Sequence, residues 1–428
     1  MDVIGIGGGR TPTTCISPAA ARTVGARWHA AAVALRCVSA GERRSRLAVR
    51  HRHVAGSRTD SVEAITDSLV ALHSSDPVTV YLSAAARMVR PSLGAVDDAL
   101  YERRSLLRHH SMRRTLWIFG HAAARDAHHG ATLAVAKVQR RNLLGMLEAG
   151  GVAEPQAWLK AAAADVVALL GETGPLTSRE IGTRLPELAI PLPVGGGTFA
   201  TTQGAHTRVL LQLGFEGHVL RARPTGTWIN GQYRWAATGE WFPGGFGELD
   251  TRAAAAGLAR RWLAAFGPGT RTDLQWWAGW TVATTKAALA DVGAVEVQLA
   301  GQDDVGGIGY VLPDDVDPPA AAPRSFALLP GLDPSTMGWK QRGFHLDPAD
   351  VPVLFDRNGN GGPTAWVDGR VVGGWHHRRN GSVALHLISD VDAEARAALG
   401  ERAAMIEHLL GEVRFSVRFP SPLLARLA

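Results

Sequence analysis

TSREIGTRLPELAIPLPVGGGTFATTQGAHTRVLLQLGFEGHVLRARPTGTWINGQYRW, residues 177–235, is the stretch that decides the architecture. Thr177-Ser178-Arg179-Glu180 is a capping box, in which the Thr177 hydroxyl and the Glu180 carboxylate each satisfy an otherwise free backbone N–H. Leu176 and Ile181 occupy the staple positions around it, and Ile181 with Leu185 gives the helix a buried edge. A second helix is expected over 202–216, with Val209 and Leu213 inward and Gln203, His206, Thr207 and Gln212 outward. Residues 218–224 and 227–235 then read as a hairpin with Pro224-Thr225-Gly226 at its tip.

Helix, helix-turn-helix and hairpin is the order of a winged helix, and the chain spells it three times. Upstream, 42–54 and 61–73 read as helices, the latter with Val62, Ile65, Leu69 and Leu72 near one face; 77–88 and 93–103 follow as helices and 106–119 as a hairpin turning near Ser111. Downstream, the helix 251–266 breaks at Gly267-Pro268-Gly269, 272–280 and 281–292 are helical, and 295–299 with 308–312 form a hairpin. Three copies about a hundred residues apart are an internal repeat of one architecture.

The proline-rich acidic stretch 313–323, PDDVDPPAAAP, reads as a linker. Beyond it the period becomes that of strands: 325–329, 364–367, 370–377 and 382–388, with hairpin turns at Asp368-Gly369 and Asn380-Gly381. A helix over 392–410 and a last strand over 413–419 complete this part. The expected fold is mainly α with α+β: a disordered extension 1–41, winged helices over 42–150, 151–245 and 246–318, and a β-rich, small barrel-like domain over 324–428.

The 428 residues are 46% apolar, ordinary for a globular protein with substantial cores. Residues 1–150 hold 21 Lys and Arg against 11 Asp and Glu; with +6 for the whole chain, the remainder is net acidic. Arg43, Arg44, Arg46, Arg50 and Arg52, then Arg103, Arg104, Arg108, Arg113 and Arg114, then Lys137, Arg140 and Arg141 read either as phosphate neutralisers or as solvated helix faces. Cys15 and Cys37 lack metal-ligand spacing and make no disulfide framework, which fits a reducing cytoplasm. No apolar run is long enough to span a bilayer, and 28–38 makes a poor signal peptide. The glycine run at 5–9 lacks the lysine of a phosphate loop and reads as flexible tail.

Chemistry concentrates at His73-Ser74-Ser75-Asp76, a polar tetrad at what reads as a helix-to-helix corner. Asp76 before Pro77 is a helix start, with Asp as N-cap and Pro at the first helical position, and His73 is placed to bond the last carbonyls of the preceding helix. Among the remaining candidates, His376-His377-Arg378-Arg379 reads either as a phosphate contact or as a solvated strand end, and Trp276, Trp277 and Trp280 as core. His109-His110 and His128-His129 lack an acidic third ligand, so no metal is expected. Asp356 to Gly361 reads as a structural turn rather than a calcium loop.

Over about 42–424 the chain resembles the bacterial winged-helix DNA-binding proteins that include the AlkZ/YcaQ-like DNA glycosylases of crosslink and alkylation repair. The resemblance rests on Leu72-His73-Ser74-Ser75-Asp76-Pro77 with Tyr81-Leu82, on Met112-Arg113-Arg114-Thr115-Leu116 and on Gly204 to Leu210. It continues in Leu328-Leu329-Pro330-Gly331-Leu332-Asp333 with Met337-Gly338-Trp339. It implies tandem winged helices and a C-terminal β-rich domain around a concave DNA channel. The chain departs from the family pattern at the tetrad: Gln-x-Gln or Gln-x-Asp is replaced by His73 and Ser75, with an acid one residue late at Asp76. Trp117 stands where the family often has the histidine of Arg-Thr-Leu-His.

Cutting an N-glycosidic bond needs a held water and negative charge beside an oxocarbenium-like sugar. The expected catalytic residues are His73, positioning or deprotonating the water, then Asp76, stabilising the cation, then Ser75. Expected DNA contacts are Arg113, Arg114, Gln203, His206, Thr207, Arg208, Arg221, Arg223, His377 and Arg378. The leading expectation is a DNA-binding protein that works as a monofunctional glycosylase using no cofactor, acting on double-stranded DNA as a monomer in the cytoplasm, associated with the nucleoid. The alternatives are a non-catalytic DNA-binding or regulatory protein and, third, winged helices that serve protein assembly.

Overall fold

The computed structural model describes residues 35–194, 201–300 and 307–427. Strand β1 (Cys37–Val38) and helix α1 (Ala40–Arg50) lead into α2 (Val62–Ser68), β2 (Leu72–His73), α3 (Pro77–Ala85) and α4 (Leu93–Asp97). After a π-helical turn come β3 (Leu106–His110), β4 (Leu116–Gly120), α5 (His121–Ala127) and α6 (Leu133–Ala149). From α2 the order is helix, strand, helix, helix, strand, strand, with the sheet arranged β2-β4-β3. Ser61, Asp76 and Ser92 cap α2, α3 and α4, each side chain accepting a hydrogen bond from a first-turn N–H.

The same order returns with α7 (Pro155–Thr173), an isolated bridge from Leu176 to Trp235, α8 (Ser178–Arg184), a hairpin of β5 (Pro191–Val194) and β6 (Thr201–Gly204), α9 (Ala205–Glu216), β7 (Val219–Pro224) and β8 (Tyr233–Ala237). The capping box forms as expected: Glu180 N–H donates to Thr177 Oγ1 and Thr177 N–H to Glu180 Oε2. After α10 (Thr238–Trp241), the third pass is α11 (Thr251–Phe266), β9 (Gly269–Thr270), α12 (Arg271–Ala278), α13 (Val282–Asp291), β10 (Val295–Leu299) and β11 (Ile308–Val311). Its sheet takes β1 as a fourth strand, in the order β1-β10-β11-β9.

The C-terminal part contains β12 (Phe326–Leu329), α14 (Pro334–Met337), α15 (Val351–Leu354), β13 (Thr364–Val367), β14 (Arg370–His377), β15 (Val383–Leu387), α16 (Ala393–Leu410) and α17 (Pro422–Leu427). Its antiparallel meander β12-β13-β14-β15 packs Leu328, Ala365 and Trp375 against Leu399, Ala403 and Ile406 of α16. Val78 and Leu82 of α3 join this cluster, while Val80, Tyr81 and Ala84 belong to the large cluster that runs through the first segment, the third pass and part of the C-terminal region. Every residue of α3 is buried. A helix apolar all round belongs between two layers, and this one sets the tetrad where the N-terminal and C-terminal parts meet.

Several expectations are corrected. Helix α2 stops at Ser68 because Val70 takes a left-handed backbone (φ 65°), so His73 lies on strand β2 opposite Trp117 rather than at a helix end. Helix α9 starts at Ala205 because residues 201–204 pair with 191–194. The C-terminal sheet is open, with β12 and β15 at its edges, and 413–419 joins no sheet, so no barrel closes. The acidic linker is clamped: Arg46 and Arg50 of α1 both donate to Asp315 at 2.5 Å, and Arg46 also to the Asp317 carbonyl at 2.6 Å. Residues 37–41, expected within the extension, are strand and helix start; the rest of that expectation, with Cys15 and the glycine run, lies outside the described residues. Cys37 is not a free thiol.

Candidate functional site

Asp76 is fixed from two directions. As N-cap of α3 its Oδ1 accepts from Val78 N–H at 3.1 Å, and its Oδ2 accepts from the backbone N–H of Arg418 at 3.0 Å. Burial raises its pKa above the ordinary value, while these two N–H donors favour the ionised form. The Arg418 guanidinium donates to the Ser75 carbonyl at 3.2 Å. Ser74 N–H donates to the Leu116 carbonyl at 2.7 Å, and Ser74 Oγ accepts from Arg108 Nε at 2.9 Å. Arg108 is itself buried, donating to Tyr101 Oη at 2.6 Å beneath the Tyr233 ring. The tetrad is thus held by β4 and Arg108 behind it and by Arg418 in front.

His73 is 4% exposed, edge-on to Trp117 with ring centroids 4.7 Å apart, and its Nδ1 accepts a long 3.4 Å bond from Ser75 N–H. Burial first, then the Arg113 charge, lowers its pKa to about 3. A ring of that pKa is neutral at physiological pH and a poor proton acceptor. The candidate ranked first by sequence is therefore the worst placed for proton transfer, and Asp76 the best placed for charge.

A cavity of about 870 Å³ opens beside Asp76. Asp76, Pro77 and Val78 form one wall, Ile229 and Gly231 of the β7–β8 loop another, and the end of β14 with the 414–425 segment the third. Asp76 is the sole carboxylate among the lining residues, facing His376, His377, Arg378, Arg379, Arg414 and Arg418. His377 stacks on Phe415, ring centroids 5.2 Å apart.

Of the expected residues, Asp76, His377 and Arg378 share this cavity and Ser75 touches its rim through Arg418. The others lie elsewhere. Arg221, its pKa lowered to about 9 chiefly by burial, lies over Trp235 at 3.5 Å and donates to His110. Arg223 binds Asp97 and Glu102. Both tie the β7–β8 hairpin to the first segment. Arg113 is half-buried against Trp276 at 4.2 Å, while Arg114 beside it is exposed; both have positive φ, 54° and 63°. His206 is wedged between Gly182 and Gly204, Thr207 Oγ1 lies 3.4 Å from Ser178 Oγ, Arg208 is half-buried, and Gln203 sits on β6 opposite Leu192.

Sequence reasoning missed Arg414 and Arg418, and read Arg379 either as a phosphate contact or as a solvated strand end. The available signal was the alternation in VRFSVRF at 413–419, which reads as a sheet strand and turns out to be a cavity wall. Trp277 is core as expected, but Trp276 is half-buried between Arg113 and Arg342. The Asp356 loop is a turn closed on itself, Asp356 accepting from Asn358 and Asn360.

Two comparisons bear on these features. A family model described as DNA glycosylase AlkZ-like matches residues 66–408. Among solved structures the chain is similar to the Streptomyces sahachiroi DNA glycosylase AlkZ, with TM-score 0.67 and 20% sequence identity over 88% of this chain and 98% of that one. No curated protein sequence matches the chain.

Proposed function

The chain belongs to the AlkZ-like DNA glycosylase family, and on that premise we propose that it hydrolyses the N-glycosidic bond of an alkylated or crosslinked base in double-stranded DNA. In this reading the three helix-strand segments are tandem winged helices, and the protein acts as a monomer and a metal-free, monofunctional enzyme. The observation that carries it is the position of Asp76, a helix-capping carboxylate at the edge of a cavity whose lining holds four arginines and no second carboxylate.

The base leaves the stack and its sugar comes to rest beside Asp76, because the cavity is too small for a duplex. As the C1′–N bond lengthens, the bonding pair departs with the base and positive charge spreads over C1′ and the ring oxygen. The Asp76 carboxylate stabilises that charge. Water adds at C1′ and loses its proton to Asp76 or to solvent. A base alkylated on a ring nitrogen already carries positive charge and leaves neutral, so the step needs no acid, which suits a site whose histidine stays unprotonated.

The test is release of abasic sites from alkylated duplex DNA. Asp76→Asn keeps the α3 cap through its amide oxygen, since Asn caps as well as Asp, gives up the bond from Arg418 N–H, and is expected to lose roughly 10²–10³-fold in rate, by analogy with removal of other electrostatic stabilisers. His73→Ala is expected to stay within about tenfold of the parent, as a residue acting through packing. An Asp76→Asn variant at parental rate sinks the assignment. A second reading, a non-catalytic DNA binder, draws on the engagement of both Asp76 oxygens with backbone N–H groups. It requires salt-sensitive duplex binding with no base release from any lesion.

A further inference from the structure

Four arginines gather on the wall of the cavity opposite Asp76. Arg378 and Arg379 stand exposed on the β14–β15 turn, and Arg414 and Arg418 come from the extended segment that follows α16. Elsewhere, several arginines end on acids, such as Arg46 on Glu42 and Asp315, Arg87 on Asp333, Arg252 on Asp291, Arg261 on Asp126 and Arg324 on Asp368 and Asp392, and others end on a carbonyl or a ring, as Arg125 on the Phe246 carbonyl and Arg221 over Trp235. None of the cavity's four guanidinium groups forms an ion pair with a carboxylate among the described residues.

Arg414 is oriented without being neutralised: its Nε donates to the Arg379 carbonyl at 3.2 Å and its Nη1 to the carbonyls of Gly411 and Val413 at 2.6 and 2.9 Å. Arg418 is held in the same way on the Ser75 carbonyl. Carbonyl dipoles fix the direction of a cation and leave its charge for something else, and a guanidinium presents paired donors matched to phosphate oxygens. Like charges gathered around a concavity repel one another and gain from an anion that enters it. About 870 Å³ is room for one nucleotide.

We infer that Arg378, Arg379, Arg414 and Arg418 form a phosphate subsite, which holds the phosphate of a single nucleotide while the sugar lies toward Asp76. The direction of the sugar rests on the glycosylase reading; the anion subsite does not. The phosphate chemistry is shared by a free nucleotide and by a phosphodiester of an extruded residue, and the two are separable by experiment.

Titration calorimetry on the full chain at low ionic strength compares thymidine, thymidine 5′-monophosphate and a single-stranded thymidine tetranucleotide. The monophosphate is expected to bind at least tenfold more tightly than thymidine, and Arg378→Gln with Arg414→Gln to abolish that difference. Arg378→Gln with Arg379→Gln changes only exposed turn residues and serves as the variant that retains the fold; it is expected to lose at least threefold. Asp76→Asn is expected to bind the monophosphate as well as the parent or better. A tetranucleotide preferred over the monophosphate assigns the subsite to a phosphodiester, and the reverse to a terminal phosphate; either supports it. Equal binding of thymidine and its monophosphate, no binding of either, or an undiminished preference in both double variants overturns it. Monophosphate binding in a protein that releases no base leaves the subsite standing and removes the glycosylase reading. Base release with no monophosphate preference does the opposite.

Discussion

Arg46 and Arg50 on α1 end on Asp315, and Arg87, just beyond α3, ends on Asp333, a pair with neither side chain exposed. Arg378, Arg379, Arg414 and Arg418 end on carbonyls or face the cavity. The first group lies in the basic N-terminal third, where composition points to an anionic partner; the second lies in the part that is net acidic. A surplus of arginine therefore locates nothing by itself. What sets the second group apart is that its four guanidinium groups, none in an ion pair with a carboxylate among the described residues, gather around one concavity.

That contrast breaks most visibly at Arg87. Asp333 also accepts from Ser83 and from Ser335 N–H, so Arg87→Met strands a buried carboxylate and is expected to cost about 3–5 kcal/mol in urea unfolding. A loss under about 1 kcal/mol would mean that the pair holds nothing together.

Acid probes the first region more broadly. Burial lowers the pKa of His51, His73 and His128 to about 3, and those of His53, His109 and His110 well below the ordinary value. Each binds a proton more readily unfolded than folded. The stability each contributes is complete above about pH 6.5 and falls as the pH drops toward 3, by about 1.4 kcal/mol per pH unit per histidine. Asp76, raised by burial, contributes in the opposite sense. Urea midpoints between about pH 7 and about pH 5 are expected to drop accordingly, and His73→Phe to flatten the slope by roughly one histidine's share. A midpoint independent of pH would contradict the burial of these rings.

The smallest expected effects sharpen the contrast. Arg46→Ala with Arg50→Ala is expected to cost roughly 1–3 kcal/mol by freeing the acidic segment, with the salt dependence of duplex binding unchanged. Arg378→Ala with Arg379→Ala is expected to change stability by less than about 0.5 kcal/mol and to reduce the slope of log K against log salt by about 1 for each phosphate no longer neutralised. The same result for both pairs would erase the distinction.

Individual helix starts and turns were readable because their signals are local. The capping box at Thr177, the Asp76-Pro77 start and the Asn380-Gly381 turn are decided within four residues, and each forms as expected. The candidate site was readable only in part. Asp76 was legible as a cap, which is also what holds it rigid, but nothing near it in sequence announces Arg418, 342 residues away. The burial of His73 was not legible, because Trp117, which covers it, comes from the paired strand 44 residues further on. Arg414 and Arg418 alternate as a strand would, and strand period does not say whether a partner strand exists.

Helix starts and turns followed from the chain itself, because caps and apolar periodicity are set by interactions among residues a few positions apart. Which polar groups are silenced and which stay available was settled only by the packed structure. Charge is cancelled or left open by groups brought together from distant positions, as Arg46 meets Asp315 across 269 residues, and no local pattern records that meeting.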